Sequence, residues 1–205
     1  MRPADVPAAT PRAATRPLPR AERRRTIIEG AARAFAAGGF DATSMEDIAV
    51  AAGVTKLIVY RHFESKEELY RSILESVSER LGALVAEGLG AGRRRGVTVG
   101  AFLTVARDDP DGFRLLWQHS RREPRFAGYA EEVRRAAATF AGRSLETHVA
   151  DPVVLAWAAP MAASFLVEAV LTWLDVGDPG ADDRFAAVTT DSLLALFATW
   201  SAPRS

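Results

Sequence analysis

Residues 43–63 constrain the fold more than any other stretch. Thr43, followed three residues later by Glu46, forms a capping-box pattern. The residues behind it give a short helix one apolar face, made of Met45, Ile48, Ala49 and Ala52. Gly53 tolerates the positive φ of a tight turn, and Thr55 is suited to cap a second short helix. Two short helices around a glycine turn are typical of a helix-turn-helix, although any αα-hairpin shares this spacing.

The outward face of the second short helix favours DNA binding over a plain hairpin. If Val59 points into the core, most of its neighbours face solvent. Leu57 and Ile58 are then exposed aliphatic residues that suit the methyl groups of thymine in a major groove. Lys56 and Arg61 supply positive charge for phosphate or guanine contacts, and Arg61 is the candidate for reading bases.

Helical periodicity continues on both sides of this unit. Residues 21–40 repeat apolar side chains at helical spacing and end at a Gly-Gly pair. Ser65 and Glu68 form a second capping box, which opens a longer helix with the stripe Leu69, Ile73, Val77, Leu81 and Leu84. Residues 88–95 are interpreted as a loop, and further breaks are predicted at the proline turns 108–112, 122–124, 150–152 and 177–180. No stretch has a strand pattern, so we predict an all-α chain of roughly nine helices.

An ordered series of motifs resembles the TetR family of repressors over about residues 24–74. The series is Gly-Phe-Asp-Ala-Thr-Ser at 39–44, the Ile-Ala-Ala-Ala-Gly-Val spacing, Tyr60-x-His62-Phe63 and Ser-Lys-Glu-Glu-Leu at 65–69. The resemblance implies a three-helix DNA-binding domain, 21–66, and a C-terminal helical domain, 67–205, that binds a small effector and forms a homodimer. It also implies double-stranded DNA with a palindromic operator as the partner.

Matching the family's motif position by position gives the candidate DNA contacts. The resemblance implies Thr43, Thr55, Lys56, Tyr60, His62 and Lys66, and the outward-face argument adds Leu57, Ile58 and Arg61. The two threonines stand at helix N-termini, where backbone N–H groups favour a phosphate, although each could serve only as a cap. The family more often has small or hydroxylated residues after Lys56, so its base preference does not transfer to a chain with Leu57 and Ile58.

Charge and proline content set the N-terminal part apart. Through Arg71 the chain has 12 Lys or Arg against 9 Asp or Glu, and after it 14 against 17. A basic front third suits a chain that contacts phosphate at one end. Residues 1–20 hold five prolines and four arginines without apolar periodicity. We interpret them as a disordered, solvated arm, and a minor-groove contact is the alternative.

Two strongly apolar helices are predicted near the C-terminus, at 153–174 and 182–200. A helix that is apolar on nearly all sides needs contacts on nearly all sides, which favours a dimer interface over an intramolecular core. The candidate interface residues are Trp157, Trp173, Phe185, Leu193, Phe197 and Trp200. Residues 152–174 are long enough to span a bilayer, but Pro160, Glu168 and the missing basic flanks argue against a membrane.

An effector chamber is predicted between the DNA-binding helices and this last pair. Its candidate lining residues are Phe102, Phe113, Trp117, His119, Tyr129, Met161, Phe165 and Glu168. His119 and Glu168 are the polar anchors, and the aromatic character favours a hydrophobic ligand. Ordinary core packing is the alternative for each aromatic residue.

Other function classes lack their sequence signatures. The chain has no cysteine, which excludes disulfides, thiolate zinc sites and cysteine nucleophiles and is natural in a reducing cytoplasm. Its three histidines form no zinc-protease pair, and no nucleophile elbow or phosphate loop is present. We therefore predict a non-enzymatic regulator without cofactor or metal. A protein-interaction scaffold is the main alternative, and an all-α enzyme is a weaker one.

Overall fold

The computed structural model describes residues 19–147 and 149–201, and these residues are arranged as helices and connections without a strand. The helices are α1 (Arg20–Gly38), α2 (Met45–Ala51), α3 (Lys56–His62), α4 (Lys66–Gly90), α5 (Val97–Asp108), α6 (Pro110–Arg114), α7 (Ala127–Leu145), α8 (Pro152–Val176) and α9 (Asp182–Ser201). A π-helical turn, Leu115–His119, and a 3₁₀ turn, Ser120–Arg122, connect α6 to α7, and a second 3₁₀ turn, Pro179–Ala181, precedes α9. The all-α prediction is confirmed. The predicted arm lies outside the described residues, except for its last two positions.

The short helix α2 begins one residue later than the sequence pattern predicts. Ser44, not Thr43, is its N-cap: the Ser44 hydroxyl accepts from the Asp47 N–H, and the Asp47 carboxylate accepts from the Ser44 N–H at 2.9 Å. The predicted capping box between Thr43 and Glu46 is therefore wrong. The shift arises because Thr43 is buried, and its hydroxyl donates to the Gly39 carbonyl at 2.6 Å.

Helices α1 and α2 cross at close range because Gly30 has no side chain. A Cβ at Gly30 would lie 2.5 Å from the Ala52 Cα and 2.6 Å from the Ala52 nitrogen. Arg33 supports the crossing by donating to the Ala51 carbonyl at 2.6 Å. Gly53 has φ of 65°, so the turn before α3 uses glycine in the left-handed region, as the sequence predicts.

Helix α4 joins the first three helices to the rest of the chain. Its apolar stripe is buried in a core that runs without interruption from α1 to α8. The Ser65 hydroxyl caps it by accepting from the Glu68 N–H, whereas the Glu68 carboxylate accepts from the Glu64 N–H instead of closing the predicted reciprocal box. The helix continues to Gly90, so the predicted loop start at residue 88 is wrong. Gly88 leaves room for Val97, because a Cβ there would lie 2.8 Å from the Val97 Cγ1. The four predicted proline breaks are confirmed.

The C-terminal half is built on the antiparallel pair α7 and α8. A second, smaller core lies there, formed by Leu145, Val149, Ala158, Ala159 and Ala162. Helix α9 is fastened by Arg107, whose guanidinium donates twice to Asp182, while the Trp173 indole N–H donates to the same carboxylate at 2.6 Å. Helix α8 is long and apolar enough to cross a membrane by length and composition, with a mean hydropathy of 1.8. Only a third of its most apolar window is buried in the protomer.

Candidate DNA-binding surface and effector clefts

Helix α3 presents a continuous outward face. Val59 and the following Phe63 are buried, which fixes the rotation of the helix on α1 and α2. The residues left exposed are Thr55, Lys56, Leu57, Tyr60 and Arg61. Leu57 is 62% exposed and Tyr60 49%, so two large side chains project into solvent from a helix held by its opposite side. Ile58 is only partly buried and packs against the core, which makes it a weaker candidate for a base contact.

Two predicted DNA contacts are engaged inside the protein. Thr43 is only 4% exposed, so its hydroxyl does not face a bound ligand. The Lys66 ammonium donates to the carbonyls of Phe40, Asp41 and Thr43 at 2.8, 3.1 and 3.2 Å. It thereby fastens the loop between α1 and α2 to the start of α4. Thr43 and Lys66 therefore hold the helix-turn-helix in position and are not part of the outward face of α3.

The side chains at the start of α3 remain available to contact a DNA phosphate. Thr55 occupies the N-cap position but makes no side-chain cap hydrogen bond. Lys56 lies 3.8 Å from the Glu46 carboxylate, and both side chains are more than half exposed. An exposed pair of this kind is weak, so a phosphate can replace the Glu46 carboxylate with little loss.

A basic cluster flanks the C-terminal end of α3. The pKa of His62 lies below its ordinary value, first because of partial burial and then because of the positive charges of Arg20, Arg23 and Arg24. Arg24 also stacks on the Phe63 ring, 4.9 Å from its centroid, and donates to the Ser72 hydroxyl at 3.1 Å. The first turns of α1 therefore place arginines beside α3, a charge that the α3 sequence alone does not reveal.

The predicted effector chamber is not a single cavity. The rings of Phe102, Phe113 and Trp117 lie 5.7 to 6.2 Å apart as a packed, buried cluster. Met161, in contrast, is 54% exposed, and Phe165 is also exposed. The eight predicted lining residues are thus divided between the core and the surface of α8, because the side chains of one apolar helix face in every direction.

The three predicted lining residues with polar groups, Tyr129, His119 and Glu168, lie in different surroundings. The Tyr129 hydroxyl shares a 2.7 Å hydrogen bond with Ser78 and belongs to the packing of α7 on α4. His119 is half-buried, and burial together with Arg122 and Arg114 lowers its pKa. Glu168 is exposed on α8. The partners of Tyr129 and the charges that act on His119 do not include each other or Glu168.

Two open clefts occur in the described parts of the chain. One, of about 330 Å³, lies between α8 and α9 and is lined by Phe165, Glu168, Ala169, Thr172, Trp173 and Phe185. The other, of about 370 Å³, lies between α7 and α8, and we call it the arginine cleft because Arg121, Arg134 and Arg135 line it together with Trp117. Sequence reasoning named Trp117 but missed the three arginines, since their spacing becomes meaningful only when α7 packs on α8.

The predicted interface residues are partly engaged within the protomer. Trp173 stacks on Phe185 at 4.7 Å, and Trp157 packs edge-on against Trp200 at 5.5 Å. A stripe on α8 still has an apolar, at least one-third exposed residue at every fourth position, namely Val153, Trp157, Met161 and Phe165. Val188 and Leu194 add exposed apolar area on α9.

An aromatic cluster connects the two halves of the chain. The Phe126 ring stacks on Tyr70 at 4.3 Å and meets Phe40 edge-on at 5.2 Å. The Arg125 guanidinium lies over the Phe40 ring, 5.2 Å from its centroid, and pairs with Asp41 at 3.2 Å. The segment that leads into α7 thus contacts the loop that leads into α2.

Comparison with known proteins identifies the helix-turn-helix. Residues 27–73 match the family model described as bacterial regulatory proteins, tetR family. This helix-turn-helix is of the TetR-family type. The match covers α1 to the first turns of α4, which are the helices that carry and position the outward face of α3.

Relatives and solved structures extend the likeness beyond these helices. The HTH-type transcriptional activator FasR of Mycolicibacterium smegmatis is 35% identical over 106 residues, which cover 50% of this chain and 48% of FasR. This chain spans about half or less of the length of the curated relatives it matches. A transcriptional regulator of the TerR/AcrR family from Aquifex aeolicus has a TM-score of 0.68 at 20% identity, covering 85% of this chain and 99% of that one. AibR, solved with isovaleryl coenzyme A and operator DNA, has a TM-score of 0.62 at 18% identity, covering 86% and 98%. The two solved structures share the fold.

Proposed function

We propose that this protein is a cytoplasmic, homodimeric transcriptional regulator that binds a palindromic operator and acts as a repressor released by a small effector. The observation that carries the proposal is the outward face of α3: Leu57, Tyr60 and Arg61 project from a helix whose other side is locked into the core. The TetR match covers this unit and favours DNA binding over a scaffold or an enzyme.

DNA binding requires two copies of this surface. Two recognition helices engage successive major grooves when they stand about 34 Å apart, which a two-fold dimer achieves. The exposed apolar stripe on α8 supports a dimer through α8 and α9, since a patch of this kind on a protomer marks an interaction surface. Trp157 belongs both to this stripe and to the interface predicted from sequence.

The first experiment is selection of bound duplexes from random DNA by the purified chain near physiological salt. We expect enrichment of a palindrome. Lys56→Ala, Tyr60→Ala and Arg61→Ala should each weaken binding to it, and loss of either cation should lower the log-log salt slope by about one. Arg93→Ala is the matched control, because exposed Arg93 follows the C-terminal end of α4, about 37 Å along the helix from Lys66.

The outcomes separate the alternatives. Folded protein that enriches no sequence, or recognition-helix variants that bind as well as Arg93→Ala, would reject sequence-specific DNA binding. A reporter with the selected operator at its promoter then gives the sign of regulation. Higher expression in the presence of the protein than in its absence would replace repression by activation, the role named for FasR.

Dimerisation has its own test. Met161→Glu places a charge in the exposed stripe without disturbing the core, so the variant should fold but sediment as a monomer and lose most affinity for the full palindrome. Leu89→Glu, at an exposed leucine on α4, controls for the added charge. A dimeric Met161→Glu protein would move the interface away from this stripe.

A further inference from the structure

The arginine cleft has an unbalanced charge. Three guanidinium groups line it, those of Arg121, Arg134 and Arg135, against a single carboxylate, that of Glu131. Within residues 19–147 and 149–201, no carboxylate approaches any of the three guanidinium groups within 4.0 Å. Positive charges gathered in a concave, partly desolvated site attract an anion more strongly than the same charges on an open surface.

Two donors in the cleft wall have no acceptor. The Arg134 guanidinium lies over the Trp117 ring, 5.6 Å from its centroid, and donates through Nη2 to the Trp117 carbonyl. The Arg134 Nε and the Trp117 Nε1 are both buried and lack a hydrogen-bond partner among the described residues. Buried N–H groups are normally paired, so a ligand acceptor that reaches either donor after a shift of the Arg134 or Trp117 side chain would be stabilising.

Apart from the charged residues and Ser164, the lining of the cleft is apolar. Pro160, Ala163 and Val167 of α8 face the cleft together with Ala137 and Ala138 of α7. The volume of about 370 Å³ lies near the lower end of small-molecule sites, roughly 300 to 1,000 Å³. A ligand that suits both the cationic and the apolar parts of this lining has one anionic group and a compact apolar body.

We propose that the arginine cleft is the effector site and that the effector is a small organic carboxylate with an apolar body. This inference rests on the proposed function and names the chemistry of its ligand. The carboxylate lies among the three guanidinium groups, and the apolar body packs on α8. It replaces the largely hydrophobic ligand, anchored on His119 and Glu168, that the sequence predicts.

The site is joined to the DNA-binding helices by one short segment. Trp117 and Arg121 contribute to the cleft, and four to five residues later Arg125 and Phe126 contact the loop and helix around Phe40. Trp117 lies in the π-helical turn, a rare conformation that recurs at functional sites. A carboxylate that draws Arg121 inward pulls on this segment, and Phe40 lies between α1 and α2.

The test uses the full chain without DNA. Isothermal titration with octanoate, 4-phenylbutyrate and naphthalene-2-carboxylate is compared with titration of the three corresponding carboxamides. We expect at least one carboxylate to bind about tenfold or more tightly than its amide, the ratio that one lost charge-assisted hydrogen bond produces. Arg121→Gln and Arg135→Gln should each weaken that carboxylate by a similar factor and leave the amide unchanged. Arg134 is not substituted, because it also holds the π-helical turn.

Arg143→Gln, at an exposed arginine of α7 outside the cleft, is the matched control and should bind like wild type. Equal affinity for carboxylates and amides, no binding by any of the three acids, or equal losses in all three variants overturns the proposal. The DNA selection is read separately. Carboxylate binding without operator binding supports the cleft and rejects the proposed function, and the converse result rejects the cleft alone.

Discussion

The close crossing at Gly30 makes a quantitative prediction for Gly30→Ala. The new methyl group would lie 2.5 Å from the Ala52 Cα and 2.6 Å from its nitrogen, whereas carbon atoms in contact are about 3.5 to 4.0 Å apart. Because two of the opposing atoms belong to the backbone, no side-chain rotation relieves the overlap, and α1 and α2 must separate by about 1 Å.

The expected free-energy change combines two opposing effects. Overpacking of a well-packed contact costs about 1 to 3 kcal/mol, and contact with backbone favours the upper end. Replacement of glycine by alanine inside a helix returns about 1 kcal/mol. We expect Gly30→Ala to lower the free energy of unfolding by about 2 kcal/mol. Gly82→Ala is the matched control, because Gly82 is exposed in α4 with no atom within 4 Å of an added Cβ. It should gain about 0.5 to 1 kcal/mol.

Urea unfolding followed by circular dichroism measures both variants, at one protomer concentration because dimer stability depends on it. Gly30→Ala should also weaken operator binding, since displaced α2 carries α3 with it, whereas Gly82→Ala should not. A Gly30→Ala protein as stable as wild type, or stabilised as much as Gly82→Ala, would refute the close crossing.

Three further predictions concern charge. His62 is neutral in the free protein near pH 7, because burial and neighbouring arginines lower its pKa; bound phosphates favour its proton, so operator affinity should rise as pH falls from about 8 to 6. Fluorescence anisotropy measures operator affinity at each pH, and the same dependence on pH in His62→Gln would contradict this prediction. Arg107 and Trp173 hold the pKa of Asp182 below its ordinary value, so this carboxylate stabilises the fold above about pH 4 and loses that contribution as pH falls through the folded pKa. The melting temperature of Asp182→Asn should therefore lie below that of wild type at pH 7 but not in strong acid. A difference in melting temperature that does not change with pH would disprove the role given to the Asp182 carboxylate. Arg125→Gln removes an ion pair with the α1–α2 loop. It should leave the affinity for the carboxylate intact and reduce the effect of the bound carboxylate on operator affinity. An unchanged effect on operator affinity would exclude coupling through Arg125.

Local sequence determined the helix-turn-helix. Gly53 at the turn, Val59 on the inner face and Ser65 at the start of α4 act within a few residues of chain, and each has the role that its spacing predicts. The same local rules place the proline breaks. The one-residue shift of the α2 cap shows the limit of local rules. Thr43 and Ser44 can both cap a helix, and the burial of Thr43 between α1 and α2 decides between them.

Contacts between residues far apart in the sequence determined which side chains meet in the folded chain. The sequence predicts Lys66 as an exposed DNA contact, yet its ammonium donates to three backbone carbonyls more than twenty residues away. Glycine inside a helix lowers the helix's stability, and only the close approach of Ala52 explains why α1 has Gly30. Arg121 and Arg134 lie in different elements, so the cleft they share appears only once α7 packs on α8. Periodicity determines which residues are apolar and which helices they form, because those interactions are local. Which side chains meet depends on how the helices pack, and that is set by the whole core at once.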